Sequence, residues 1–131
     1  ENCSFCSVER DSIEHIFCRC AVIRRFWNQF VIFVNEKCVN AVNFRLSEKL
    51  VIFGVDEHIK IDSVMAFILL FTKKYLYTCK NNNIAPDIKC LMRKLLYRYN
   101  IEEYNVRLSF TYNEFVARWQ PYRLLIDLNN S

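Results

Sequence analysis

A run of metal-ligand residues near the N-terminus constrains this chain more than any other feature. In the segment CSFCSVERDSIEHIFCRC, Cys3 and Cys6 form a C-x-x-C pair, and His15 and Cys20 follow it. A C-x-x-C pair can hold one metal ion from a tight turn, and a helix can supply two further ligands. The spacing therefore predicts a Zn²⁺ site. Its role is structural, because four protein ligands leave no coordination position for water or substrate.

Two cysteines compete for the fourth ligand position. Cys20 follows His15 by five residues, about 500° of rotation on an α-helix, so it must lie where the helix bends or frays. Cys18 follows His15 by three residues and is the alternative. Disulfides are the weaker explanation, because seven cysteines cannot all pair within the chain and we expect no secretory signal. We expect an intracellular, reducing environment, either nuclear or cytoplasmic.

The rest of the chain predicts a small all-α domain of about five helices with an N-terminal zinc knuckle. One glycine and two prolines in 131 residues leave few turn residues, which favours few, long elements. Hydrophobic periodicity and capping residues predict the helices. They are residues 12–35 after an Asp11/Glu14 cap, 46–54 ending at Gly54, one from Asp62 or Ser63 to Asn81, one with Pro86 in its first turn, and one from Thr111 to Pro121.

A single core is expected to join these helices. The third helix is apolar around most of its circumference, which predicts a central, buried position. The residues expected in the core are Phe67, Leu70, Phe71, Leu91, Leu95 and Trp119, with Phe26 and Trp27 packing from the first helix. The predicted organisation is a zinc-knuckle turn with the start of the first helix at 1–26, and a helical body at 27–131 packed with it as one domain.

Charge and hydrophobicity exclude several classes of function. The longest apolar run, residues 64–71, is much shorter than the roughly 20 residues of a membrane span, so no membrane partner is expected. The aspartates are scattered, with no pair to hold the two Mg²⁺ ions of phosphoryl transfer, and His58 is expected in an exposed loop. We therefore predict that the chain is not an enzyme. A formal charge of +4 permits contact with nucleic acid without requiring it.

Several segments together resemble a known family over nearly the whole chain. They are CSFC, IEHIFCRC, RRFWNQF, VIFGV, ILLFTKKYLYTCK and FVARW. In this order they resemble the C-terminal zinc-binding region of reverse transcriptases from LINE-type, non-LTR retrotransposons. The resemblance implies that Cys3, Cys6, His15 and Cys20 are the metal ligands and that Cys18 lies outside the site.

The resemblance also implies an accessory module downstream of a polymerase domain, close to nucleic acid during reverse transcription. The expected partner is RNA or single-stranded DNA. Arg19, Arg24 and Arg25 would contact phosphates, and Phe5 would stack on a base beside the zinc turn. The alternative is a structural or protein-interaction module that packs on the reverse transcriptase domain of the parent polyprotein or on another partner.

Overall fold

The computed structural model describes residues 2–38 and 43–127, and over these residues the protein is an all-α domain, as predicted. A π-helical turn, His15–Arg19, precedes the α-helices, and a 3₁₀ turn, Gln120–Leu125, follows them. The helices are α1 (Ala21–Lys37), α2 (Glu48–Phe53), α3 (Ser63–Asn81), α4 (Ile88–Val106) and α5 (Tyr112–Trp119). The described residues contain no β-strand, only two isolated bridges.

Side-chain caps fix the starts of the three middle helices. Ser47 accepts a hydrogen bond from the Leu50 backbone N–H at α2, and Asp62 accepts one from the Met65 backbone N–H at α3. Each cap satisfies a backbone donor that the first turn leaves free. Helix α2 ends at Gly54, whose φ of +79° is the left-handed conformation in which glycine avoids strain. Of the two predicted cap residues, Asp62 and Ser63, Asp62 is the cap, and the predicted turn at the only glycine of the sequence is confirmed.

Two other helix starts were predicted incorrectly, whereas Thr111 is the N-cap residue of α5, as predicted. The first helical turn is capped by Ser12, whose Oγ accepts from the His15 backbone N–H, whereas Asp11 pairs with a lysine of α3. Pro86 precedes α4 instead of opening it, because Asp87 is the N-cap and accepts from the Cys90 backbone N–H. Thr111 makes no capping bond, because its hydroxyl binds that of Ser109.

The predicted helix over 12–35 is interrupted at Cys20. The ψ angle of Cys20 is 135°, outside the helical range, so the π-helical turn ends there and α1 starts anew at Ala21. The break changes the register of the buried face, which now consists of Ile23, Phe26, Trp27, Phe30 and Val34. Ile13, which the helical periodicity of the sequence would place on the same face as Trp27, is exposed. The core packing of Phe26 and Trp27 is confirmed.

The hydrophobic core contains side chains from all five α-helices and from residues 2–20, which contain the predicted metal ligands and are called the metal-binding turn below. Leu91 and Leu95 are completely buried and Trp119 is buried, as predicted, but Phe67 and Phe71 are only half-buried. Leu70 was wrongly predicted to be buried: 64% of its surface is exposed. The reason is that no described element covers this face of α3, where Lys74 and Tyr77 are also exposed.

The helices are too polar or too short to cross a bilayer. No helix among the described residues combines the length and the hydrophobicity that a membrane span requires.

Candidate metal centre

A tight turn positions the first two cysteines. The Cys3 backbone N–H donates to the Glu9 carbonyl at 2.7 Å, and the Ser7 N–H donates to the Cys3 carbonyl at 2.8 Å. Ser7 has a φ of +59°, which allows the chain to reverse immediately after the C-x-x-C segment. The turn buries Cys3 and leaves Cys6 half-buried, with both sulfurs on the same side as His15.

The π-helical turn positions the other two ligands. The Cys20 backbone N–H donates to the His15 carbonyl at 3.0 Å, an i→i+5 bond that defines this wider turn. Residues five apart thereby lie one turn apart, whereas α-helical geometry would separate them by about one and a half turns. The π-helical turn is therefore what brings His15 and Cys20 to the same ion-sized space.

The four predicted ligand residues converge. The ligand atoms of Cys3, Cys6, His15 and Cys20 all lie within 4.8 Å of one another. The Cys3 and Cys20 sulfurs are 3.9 Å apart, and the Cys6 sulfur is 3.4 Å from His15 Nε2. A tetrahedral site with metal–sulfur bonds of ~2.3 Å has edges of about 3.8 Å. The cluster can therefore hold a metal ion with these four side chains as ligands.

The second ring nitrogen of His15 faces a carboxylate. Nδ1 of this buried ring lies 3.3 Å from Glu9 Oε2, although the contact lacks hydrogen-bond geometry. A carboxylate beside the free nitrogen of a metal-ligating histidine fixes the ring orientation and increases the basicity of the ligating nitrogen. Sequence analysis missed Glu9, whose only signal was its position between the ligands.

Backbone groups shape the electrostatics of two sulfurs. Backbone hydrogen bonds lower the pKa of Cys6 to about 6. The bond from Glu9 is the largest cause, and the bond from Val8 is the second. Burial raises the pKa of Cys20, and the backbone N–H groups of Val22 and Ile23 at the start of α1 oppose this effect. These donors stabilise the thiolate, the form that ligates a metal.

Cys18 lies outside the cluster. It is half-buried beside α2 and lines a groove with Arg24 and Glu48. Burial is the main cause that raises the pKa of Cys18 to about 11, so its neutral thiol predominates at pH 7. The convergence of the other four residues leaves Cys20, and not Cys18, in the fourth position.

The predicted nucleic-acid contacts lie in different environments. The Arg19 guanidinium binds both carboxylate oxygens of Glu48, at 2.7 and 3.1 Å, and is not free. Arg24 and Arg25 are exposed on α1 and make no ion pair within the described ranges. Phe5 is half-buried and packs against the core. Arg24 and Arg25 are therefore accessible to a ligand, whereas Arg19 is paired with Glu48 and Phe5 packs against the core.

Comparison with known proteins gives no further assignment. No protein-family model, no curated protein and no solved structure matches this chain. The metal centre accordingly rests on its own geometry and donor set.

Proposed function

We propose that this chain is a zinc-stabilised nucleic-acid-binding accessory module of a LINE-type reverse transcriptase, non-catalytic by itself. The observation that carries the proposal is the convergence of Cys3, Cys6, His15 and Cys20. These are the residues that the resemblance to the retrotransposon family selects from seven cysteines and two histidines. The parent reverse transcriptase would supply the polymerase active site.

The donor set favours zinc over other ions. Three thiolates and one imidazole are a common ligand set of structural Zn²⁺, whereas Mg²⁺ and Ca²⁺ prefer oxygen. All four positions of the tetrahedron would be filled by the protein, which supports a structural role. Thiolate ligands must stay reduced, so the proposal includes an intracellular, reducing environment.

Accessible cations just after the last ligand support binding of RNA or single-stranded DNA. Arg24 and Arg25 follow Cys20 in the first two turns of α1 and are exposed to solvent. Lysine and arginine contacts to phosphates provide affinity without reading sequence. Arg19 could contact phosphates only after its ion pair with Glu48 had broken. Arg24 and Arg25 are therefore the stronger candidates for phosphate contacts.

The test combines metal content with RNA binding at two salt concentrations. Purified protein should contain one equivalent of zinc, and its affinity for a single-stranded RNA should fall as salt rises. The double variant Arg24→Glu/Arg25→Glu should weaken binding to RNA and DNA alike and reduce the salt dependence. Lys60→Glu/Arg118→Glu, at two exposed positions outside α1, is the matched charge-reversal control. Folded, zinc-loaded protein without affinity for RNA or DNA would refute the proposal.

A protein-interaction module is the second candidate, and one observation favours it. Leu108 and Phe110, in the loop after α4, are 99% and 97% exposed. Large apolar side chains in such positions are typical of surfaces that a partner covers. An apolar interface of this kind responds little to salt, so the salt titration also separates the two candidates.

A further inference from the structure

A basic groove of about 590 Å³ lies between α3 and α4, on the part of the surface that the predicted contacts do not include. Phe71 and Lys74 line it from α3, and Arg93, Lys94, Tyr97 and Arg98 line it from α4. The α4 residues recur at intervals of four, so they form adjacent rows along one side of that helix.

The charge of the groove is entirely positive. No carboxylate lines it. Lys74, Arg93 and Lys94 make no ion pair in the described part of the chain, so their charges are available to a ligand. Arg98 binds Glu102 at 2.9 Å, one turn further along α4, and its guanidinium lies 5.6 Å from the centre of the Phe67 ring. The groove thus offers three unpaired cations and one that is partly neutralised.

Aromatic surface accompanies these cations. Tyr97 is 71% exposed and lines the groove together with Arg98 and Ile101 of α4. Phe71 presents part of its ring from the opposite side of the groove. Cations that follow a backbone, with aromatic rings available between them, are the combination that binds single strands.

The groove continues towards the metal centre. A neighbouring depression of about 570 Å³ shares Phe71, Lys74 and Arg98 with it and extends to Phe17 and Tyr77. Phe17 belongs to the π-helical turn that carries the metal ligands, and its ring lies 6.4 Å from that of Tyr77. A single extended strand could therefore lie along α3 from Tyr97 to the metal-binding turn.

We propose that this groove binds single-stranded nucleic acid, with phosphates on Lys74, Arg93 and Lys94 and a base stacked on Tyr97. Charge complementarity favours a polyanion, and the exposed ring favours one with unpaired bases. A duplex would satisfy the cations but would hide its bases from Tyr97. The inference rests on the proposed nucleic-acid binding and assigns it a second surface, separate from Arg24 and Arg25.

The first test removes groove charge. The double variant Arg93→Gln/Lys94→Gln should weaken binding of labelled oligouridylate and oligothymidylate of about twelve nucleotides. For single strands, each phosphate contact contributes roughly 0.7 to the magnitude of the slope of log K against log salt. Loss of two contacts should therefore reduce that magnitude by about 1.4. The matched control is Lys60→Gln/Arg118→Gln, two exposed cations outside the groove. Circular dichroism and zinc content should stay as in the unmodified protein.

The second test removes the ring. Tyr97→Ala should reduce affinity roughly 5- to 150-fold, the effect of losing one stacked base, and leave the salt slope unchanged. Alanine is a good helix former, so α4 should persist. Phe110→Ala is the control, because that ring is fully exposed outside the groove. Duplex RNA should bind more weakly than the single strand and should not respond to Tyr97→Ala.

The outcomes separate the groove from the function as a whole. Unmodified protein without affinity for either oligonucleotide overturns both proposals. Binding that depends on Arg24 and Arg25 but is unchanged in both groove variants overturns the groove alone. In a third outcome, polyglutamate of matched charge displaces the labelled oligonucleotide as well as unlabelled oligonucleotide does, and Tyr97→Ala does not change the affinity. This outcome would identify an acidic protein as the occupant of the groove and would also overturn the groove proposal.

Discussion

Asp11 and Lys80 form an ion pair, with 2.7 Å between Oδ2 and Nζ, that joins the metal-binding turn to the last turn of α3. The Lys80 side chain is only 10% exposed, and the Asp11 carboxylate is the main cause that raises its pKa. Cys3 adds to this effect. With Zn²⁺ in the proposed site, three thiolate ligands would leave a net charge of −1, and Lys80 lies where it would offset both that charge and Asp11.

Lys80→Met should therefore loosen the metal-binding turn. Methionine keeps most of the aliphatic packing but leaves the Asp11 carboxylate without its partner. We expect the free energy of unfolding to fall by about 1.5–3 kcal/mol, the usual range for a charged hydrogen bond, in urea titrations of the zinc-loaded protein. Lys74→Met, at an exposed position of the same helix, should change stability little. A double-mutant cycle with Asp11→Asn that gives no coupling energy would contradict this assignment.

Cys6→Ser and Cys18→Ser form a matched pair for the metal centre, because both cysteines are half-buried. Cys6 contributes a ligand atom to the cluster and Cys18 does not. Zinc should be lost from Cys6→Ser and retained at one equivalent in Cys18→Ser, as measured by elemental analysis after gel filtration. Equal loss from both variants would remove the basis for Cys20 as the fourth ligand.

Removal of the metal should affect the chain unevenly. If zinc binds as proposed, a chelator would withdraw the folding free energy that it supplies to the N-terminal turn, whereas the ligands take no part in the packing of α3 on α4. Hydrogen exchange should accelerate over residues 2–26 and stay slow in the middle of α3 and α4. Uniform acceleration across the chain would show that the metal centre and the helical body unfold together.

The spacing predicted Cys3, Cys6 and His15 because ligand chemistry is local and conspicuous, but it left Cys18 and Cys20 as alternatives, and only the family resemblance selected Cys20. The sequence could not predict how residues five apart meet, because an α-helix separates them and the π-helical turn depends on the surrounding packing. The five-residue interval between His15 and Cys20 was the only signal of that turn. Glu9 approaches His15 only after the turn between residues 2 and 10 has formed, so its position followed from no periodic pattern.

Helix existence was predictable, whereas several helix starts and part of the core were not. Asp62 and Gly54 have the residue types that a cap and a left-handed turn require, and both function as predicted. Asp11 has the residue type of a cap as well, but a lysine 69 positions away competes for its carboxylate. Leu70 fits an apolar helix, and its exposure depends on where α4 packs, which periodicity along α3 does not encode.

Tyr122→Phe tests the attachment of the C-terminal 3₁₀ turn. The Tyr122 hydroxyl donates to Asp62 Oδ2 at 2.6 Å, while the other oxygen of Asp62 caps α3. Phenylalanine retains the buried ring and removes only this hydrogen bond, so stability should fall by about 1–3 kcal/mol. The stability of both variants is measured by thermal unfolding. Tyr97→Phe, at an exposed position, is the control and should leave the melting temperature unchanged. Equal melting temperatures for Tyr122→Phe and the unmodified protein would show that the bond contributes nothing.

Phe5 has to be tested with two substitutions, because its ring packs against the core and is also the predicted stacking platform of the metal-binding turn. Phe5→Leu keeps an apolar side chain of similar volume but loses the flat ring. If the ring stacks on a base, Phe5→Leu should retain zinc and melting temperature. Its affinity for oligouridylate should fall roughly 5- to 150-fold at an unchanged salt slope.

Phe5→Ala should lose the same affinity and, in addition, thermal stability, because truncation also removes the packed half of the ring. The comparison separates the two roles: stacking depends on the ring, whereas packing depends on volume. Binding by Phe5→Leu that equals that of the unmodified protein would restrict Phe5 to a packing role. Contact with the strand would then be left to the cations of α1 and of the α3–α4 groove.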